Sequence, residues 1–157
     1  MRKTLETIGL AALAVLVLTT GRALYGPARL PAPIPTHFGL DGRPDAWGSP
    51  GMLLVFPVTA VLLYALMSVV TRYPSAFNFP VRVTPRNRAQ LEGVALDMIA
   101  WLKMELACMF AAMEWFAIRV AGHPGQAMPA ALMPVALAAI FATVGLHIAA
   151  MRRAARR

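Results

Sequence analysis

The sequence predicts an all-α integral membrane protein with four transmembrane helices and an irregular Pro/Gly-rich outer loop between helices 1 and 2. Two observations carry that prediction. Four apolar runs, Leu5 to Tyr25, Gly51 to Val70, Leu91 to Arg119 and Met128 to Met151, each reach the roughly 20 residues needed to cross a hydrocarbon core of about 30 Å. Arginine and lysine crowd alternate connections: Arg2 and Lys3 at the start, Arg72, Arg82, Arg86 and Arg88 after the second run, and Arg152, Arg153, Arg156 and Arg157 in the tail. Basic loops are retained in the cytoplasm, so both termini are expected inside, and the connections 26–50 and 120–127 outside. A single membrane domain, 1–157, is expected, with spans at about 5–25, 51–70, 94–117 and 129–150 and a cytoplasmic loop over 71–90.

The first run opens like a signal peptide. Its apolar part gives way to Thr19-Thr20-Gly21-Arg22, without the small-x-small site that a signal peptidase cuts, so an uncleaved first span is expected. Arg22 would snorkel into the head groups at its outer end. The first loop then carries Pro27, Pro31, Pro33 and Pro35, a density that forbids a helix, followed by an Asp41-Gly42 turn signal. The second loop is broken by Pro74, Pro80 and Pro85, with Tyr73, Phe77 and Phe79 among its arginines, as suits a segment lying in the membrane interface.

The third run is too long for one straight span, about 43 Å at 1.5 Å per residue, and it carries Glu92, Asp97, Lys103, Glu105 and Glu114. Lys103 and Glu105 fall near mid-depth, where a charge costs about 2.5–3.5 kcal/mol on insertion scales, so they must face protein or water. At 100° per residue Glu92, Lys103 and Glu114 form one stripe, whereas Asp97 and Glu105 lie on the other side. Lys103 and Glu105 are therefore no local ion pair, and each needs a partner elsewhere. The last run begins with Met128, Pro129, Met133 and Pro134, which reads as a kinked start, and ends near His147, a structural histidine at the interface.

A net charge of +8 would suggest nucleic acid as the partner of a soluble protein. Here the basic residues sit beside span ends, so topology and anionic lipid account for them, and the bilayer is the expected partner. Cys108 stands alone, which excludes an intramolecular disulfide.

The stretch Leu30 to Ser49 resembles the domain of unknown function 1648 family, which is associated with the SdpI-like immunity proteins of bacteria. The resemblance rests on Leu30-Pro31, Ile34-Pro35, His37-Phe38, Gly42, Asp45 and Gly48-Ser49. A weaker similarity continues in Asn78-Phe79-Pro80, Thr84 and Asn87. The chain departs from the family pattern at Gly39, where Asn is usual, and at Pro50, where Lys is usual. The resemblance implies a multi-pass protein of the bacterial inner membrane, with immunity to a secreted toxic peptide and associated signalling in the best-known branch, and it implies no defined reaction.

Read as chemistry, His37, Asp41 and Asp45 are the one cluster of nitrogen and oxygen ligands expected outside the membrane. Imidazole with carboxylates suits zinc or manganese, and Glu114, near the outer end of the third span, is a candidate fourth ligand or general base. The same residues also fit a structural role, with Asp41-Gly42 as a turn and Asp45 capping a helix or pairing with Arg43. A third reading is recognition of a partner, with Phe38 and Trp47 as contact or membrane-belt aromatics. No Gly-x-Ser-x-Gly, His-Glu-x-x-His or phosphate-cradling glycine loop is present, so enzymatic function is not the favoured expectation.

The preferred expectation is a membrane protein whose outer loop senses or neutralises an extracellular peptide or envelope agent, acting alone, as a homo-oligomer or with another membrane protein. A small metal-dependent membrane enzyme and an ion-linked transport accessory built on Lys103 and Glu105 are the alternatives, with Asp97 a further polar residue expected within the membrane. Within the loop, His37 and Asp45 are expected to carry the function, converging near Glu114.

Overall fold

The four apolar runs form four long helices. In the computed structural model, which describes residues 1–27, 30–123 and 125–156, α1 is Arg2–Tyr25, α2 is Val55–Val70, α3 is Arg88–Gly122 and α4 is Leu132–Ala155. Three of them are long and apolar enough to cross a membrane: α1, α4, and α2 extended by the 3-10 turn Pro50–Leu54 that leads into it. The 35-residue α3 carries Asp97, Lys103, Glu105 and Glu114 along its length and falls outside that description.

Local chemistry sets the helix ends. Tyr25 is followed by Gly26 and Pro27, and α1 stops there. Thr84 and Asn87 hold the entry to α3: the Thr84 N–H donates to Asn87 Oδ1 at 2.8 Å, and the Asn87 amide donates from its side chain to the Arg82 carbonyl at 3.1 Å. α4 begins at Leu132 rather than at 129, because Pro129 lies in the turn before it. Pro134 falls in the first turn of α4, where a missing N–H costs nothing. Arg157, expected in the tail, lies outside the described residues.

The segment expected to be an irregular loop is instead an antiparallel hairpin, β1 Ile34–Phe38 and β2 Pro44–Gly48. Ile34 stands opposite Gly48 and Pro35 opposite Trp47, with register irregularities around His37. The prolines that bar a helix are compatible with extended backbone, since their fixed φ of about −65° borders the β region. Ile34, Thr36, Phe38 and Trp47 supply the β-branched and aromatic side chains that favour strands. Gly39 and Arg43 close the turn through an N–H to carbonyl bond of 2.8 Å, and Gly42 takes a φ of +77°. The turn chemistry was legible, but the strand pairing needed a surface to pack on.

That surface is the end of the bundle. Ile34 is buried with Ala23 of α1, Leu53, and Ala117 and Ala121 of α3. The Met128 N–H donates to the Gly42 carbonyl at 2.8 Å, tying the hairpin tip to the segment before α4. At the opposite end Leu91, Ala95, Met151 and Ala154 pack with Phe77 and Phe79. The start of α1, the second loop and the end of α4, with their arginines, therefore share one end of the molecule.

α3 packs on all three other helices. It runs parallel to α1, as successive contacts show: Arg2 bonds to Asp97, Glu6 to Lys103, and Thr20 to Glu114. Lys103 is 4% exposed, and its ammonium reaches both Glu6 carboxylate oxygens at 2.8 and 2.7 Å. It also lies 4.2 Å from the centre of the Tyr64 ring, while the Tyr64 hydroxyl donates to Glu6 at 2.6 Å. Gly9 lets α1 come this close, since a Cβ there would sit 3.0 Å from the Tyr64 ring and 3.4 Å from the Met104 backbone. Glu105 accepts from Thr143 of α4 at 2.5 Å. Lys103 and Glu105 thus have separate partners on other helices, as their angular separation requires. Of the expected stripe, Lys103 and Glu114 are buried, while Glu92 pairs with Arg88 at 2.9 Å. His147 bonds to the Thr143 carbonyl at 2.7 Å.

Two outcomes follow from this packing. Glu6→Leu leaves Lys103 buried without its carboxylate and should destabilise the bundle by about 3–5 kcal/mol. Lys103→Leu leaves the less buried Glu6 carboxylate unpaired and should cost about 1–3 kcal/mol. The double variant should fall below the sum of the two, read as a double-mutant cycle of thermal unfolding in detergent. At the hairpin tip, Gly42→Ala places a side chain at positive φ and against the Met128 carbonyl, so it should cost more than about 1 kcal/mol and raise the rate of proteolytic cutting at the hairpin.

Candidate functional site

The hairpin brings two of the sequence-selected residues into direct contact. His37 on β1 and Asp45 on β2 lie on paired strands, and His37 Nδ1 is 2.5 Å from Asp45 Oδ1. Both side chains are more than half exposed, at 70% and 53%. The expected alternatives for Asp45, a helix cap or a pair with Arg43, are not what forms. Asp41 instead serves the turn: its carboxylate accepts the Arg43 N–H at 3.0 Å and lies 3.9 Å from the Arg43 guanidinium. A two-residue offset favours this Asx arrangement, whereas the strand pairing carries Asp45 across to His37.

Glu114 is not a member of this pair. It is fully buried between α1 and α3, where the Thr19 and Thr20 hydroxyls donate to its two oxygens, from Thr19 at 2.8 Å. His37, Asp41, Asp45 and Glu114 therefore do not gather as one ligand set. Among the described residues no three His, Cys, Asp or Glu side chains are grouped so as to hold a metal ion. Asp97 is engaged by Arg2 at the arginine-rich end, well away from the hairpin.

Beneath the hairpin lies a cavity of about 370 Å³. Its walls are the inner side of β1, the start of α2, Phe110 and Met113 of α3, and Met128 and Met133 around the start of α4. Phe38 is partly buried, lines this cavity and packs against the core. Trp47 is 51% exposed on β2, and Leu40 at the tip is fully exposed.

Sequence reasoning passed over Glu6, Tyr64, Thr19, Thr20 and Thr143, which complete the polar contacts of α3. Glu6 carried a signal, being the one acidic residue in the first run. The threonines carried none, because a hydroxyl on an apolar helix bonds its own backbone equally well. The methionines of the cavity come from three separate stretches, Met52 before α2, Met113 on α3, and Met128 with Met133 around the start of α4, and line one space only in the fold.

Residues 14–61 match the family described as domain of unknown function, DUF1648. The DUF1648 segment runs from the middle of α1 through the hairpin and into α2, and so contains His37, Phe38, Asp41, Asp45 and Trp47. The weaker similarity at Asn78-Phe79-Pro80, Thr84 and Asn87 lies outside it, and the structure gives those residues a packing and helix-entry role. An uncharacterized protein of Archaeoglobus fulgidus is 28% identical over 127 residues, spanning 72% of this chain and 68% of its own length. No solved structure matches the chain.

The DUF1648 pair His37–Asp45 is too exposed to hold the fold. His37→Ala or Asp45→Ala should change stability by less than about 1 kcal/mol. Ile34→Ala, which empties a buried position in the same strand, should cost about 2–5 kcal/mol. Thermal unfolding of the three variants checks the contrast, and an equal loss at His37 would make the pair structural.

Proposed function

We propose that this membrane protein crosses the cytoplasmic membrane four times, with both termini inside, and that its hairpin receives an extended segment of an extracellular peptide. The apolar helices and the DUF1648 segment support the membrane setting. Four crossings are supported by the helix directions: α3 runs parallel to α1, while Tyr64 near the end of α2 meets Glu6 near the start of α1, and Met151 near the end of α4 meets Leu91 near the start of α3. Lys103, Asp97 and one carboxylate oxygen of Glu105 have partners on other helices, which lowers the cost of placing α3 in lipid. The gathering of basic residues at one end supports that end as cytoplasmic.

The observation that carries the peptide reading is the edge of β2. Among the described residues β2 pairs with β1 alone, and its Asp45, Ala46 and Trp47 are all exposed. An exposed strand edge is a template for an added strand, in which backbone bonds give affinity and side chains give selectivity. Trp47, Leu40 and the His37–Asp45 pair surround that edge with aromatic, apolar and ionisable contacts. Neutralising a secreted membrane-active peptide, the role that the SdpI-like resemblance implies, is the use this surface fits best. Ion transport has less support: between the Lys103 and Glu114 levels Leu13 and Leu16 of α1 pack against Ala60 of α2 and Ala107 of α3, and none of these four side chains is polar.

Reporter fusions after Pro50 and within the tail should report opposite sides of the membrane, with the tail inside; the reverse result overturns the topology. Cells carrying the protein should tolerate a membrane-active peptide better than cells without it, and Trp47→Ala or Asp45→Asn should abolish that protection while the protein still inserts. Full protection by both variants would overturn the reading of the β2 edge.

A further inference from the structure

Four of the twelve residues lining the cavity under the hairpin are methionines, Met52, Met113, Met128 and Met133, against ten methionines in all 157 residues. His37 lines the same cavity. No aspartate, glutamate or cysteine does. This lining does not suit zinc or manganese, because those ions call for carboxylate, thiolate or several imidazoles. Thioethers with an imidazole are soft donors, and they select monovalent copper.

The geometry of His37 adds a second, independent point. Its Nδ1 is committed to the Asp45 carboxylate at 2.5 Å. In the neutral ring that bond places the proton on Nδ1 and leaves the lone pair on Nε2. A carboxylate holding one nitrogen while the other binds the ion is the usual outer-shell arrangement of a metal-bound histidine. The apolar lining also favours a single charge over a double one, since desolvation penalises charge steeply. Methionine, unbranched and with three rotatable bonds, can turn its sulfur into a space larger than an ion. Met128 is the best anchored of the four, being buried and tied through its N–H to the hairpin tip.

We propose that the cavity beneath the hairpin binds a soft monovalent metal ion, copper(I), through His37 Nε2 and the thioethers of Met113, Met128 and Met133, with Met52 at the margin. The site goes beyond the peptide reading of the β2 edge and does not depend on it. Binding involves no electron transfer; the ion exchanges its solution ligands for imidazole and thioether.

Silver(I), which has the same preference and no redox chemistry under these conditions, is the probe. Purified full-length protein in detergent should bind silver with one ion per chain in competition with a chelator. Met113→Leu/Met128→Leu keeps the cavity apolar and near its volume, and should weaken binding by at least about tenfold; His37→Ala should do the same. X-ray absorption of the copper(I)-loaded wild-type protein should show sulfur with one nitrogen around the ion, a readout that needs no variant to fold. Absence of silver binding above the detergent blank, unchanged binding in the leucine variant, or a shell of nitrogen and oxygen alone would each overturn the proposal. If the leucine variant instead keeps binding an apolar fluorescent probe while wild-type protein takes up no silver, the cavity is an apolar pocket and the metal site is refuted. Trp47→Ala, which touches none of the proposed ligands, tests the peptide reading separately through protection, so the two can fail independently.

Discussion

A lysine buried between apolar helices needs a counter-charge, and here it comes from another helix, near the arginine-rich end rather than at the mid-depth expected from the sequence. Lys103 finds Glu6 across the α1–α3 interface and lies against the Tyr64 ring of α2. One buried ammonium thus binds three helices together and fixes their relative height. Helices in lipid gain little from the hydrophobic effect among themselves, so specific contacts of this kind decide register. The close approach at Gly9 makes the contact possible. The Glu114 contacts with Thr19 and Thr20 repeat the device about three turns further along α3, and together they hold α1 and α3 parallel.

That register delivers the ends of α1 and α3 side by side, and the hairpin depends on it. Ile34 sits over Ala23, Ala117 and Ala121, small residues that leave room for a strand above the helix ends. An isolated two-stranded hairpin is marginal in water. This one is anchored by its buried first strand, by Leu53 beneath it and by the bond between Gly42 and Met128. The two strands differ: β1 buries Ile34 and Pro35 on the helix ends, while Asp45, Ala46 and Trp47 of β2 are exposed.

The same asymmetry divides the motif of the DUF1648 segment into two kinds of residue. Ile34, Pro35 and Gly42 hold the hairpin down, by burial or by a backbone conformation that a side chain would strain. His37, Asp45 and Trp47 are more than half exposed. Asp41 belongs with the first group despite its charge, because its carboxylate completes the turn. A cluster of ionisable residues in sequence therefore separates in space into a turn, a surface pair and, for Glu114, a buried helix contact.

The sequence by itself determined the apolar helices, the segregation of arginine, the turn at Gly42 and the requirement that Lys103 and Glu105 be paired with something other than each other. Each of these rests on a local or periodic property: length against bilayer thickness, charge placement, backbone freedom, and 100° per residue. It also singled out His37 and Asp45, which the hairpin then joined. What only the tertiary structure decided was the identity of partners distant in the chain: Glu6 and Tyr64 for Lys103, Thr143 for Glu105, Thr19 and Thr20 for Glu114. It also decided that a proline-rich loop would pair as strands, since extended segments become a hairpin only when one face has a surface to bury against. The methionine cavity belongs to the same class, because four methionines from three separate stretches line one space only after the helices have found their register.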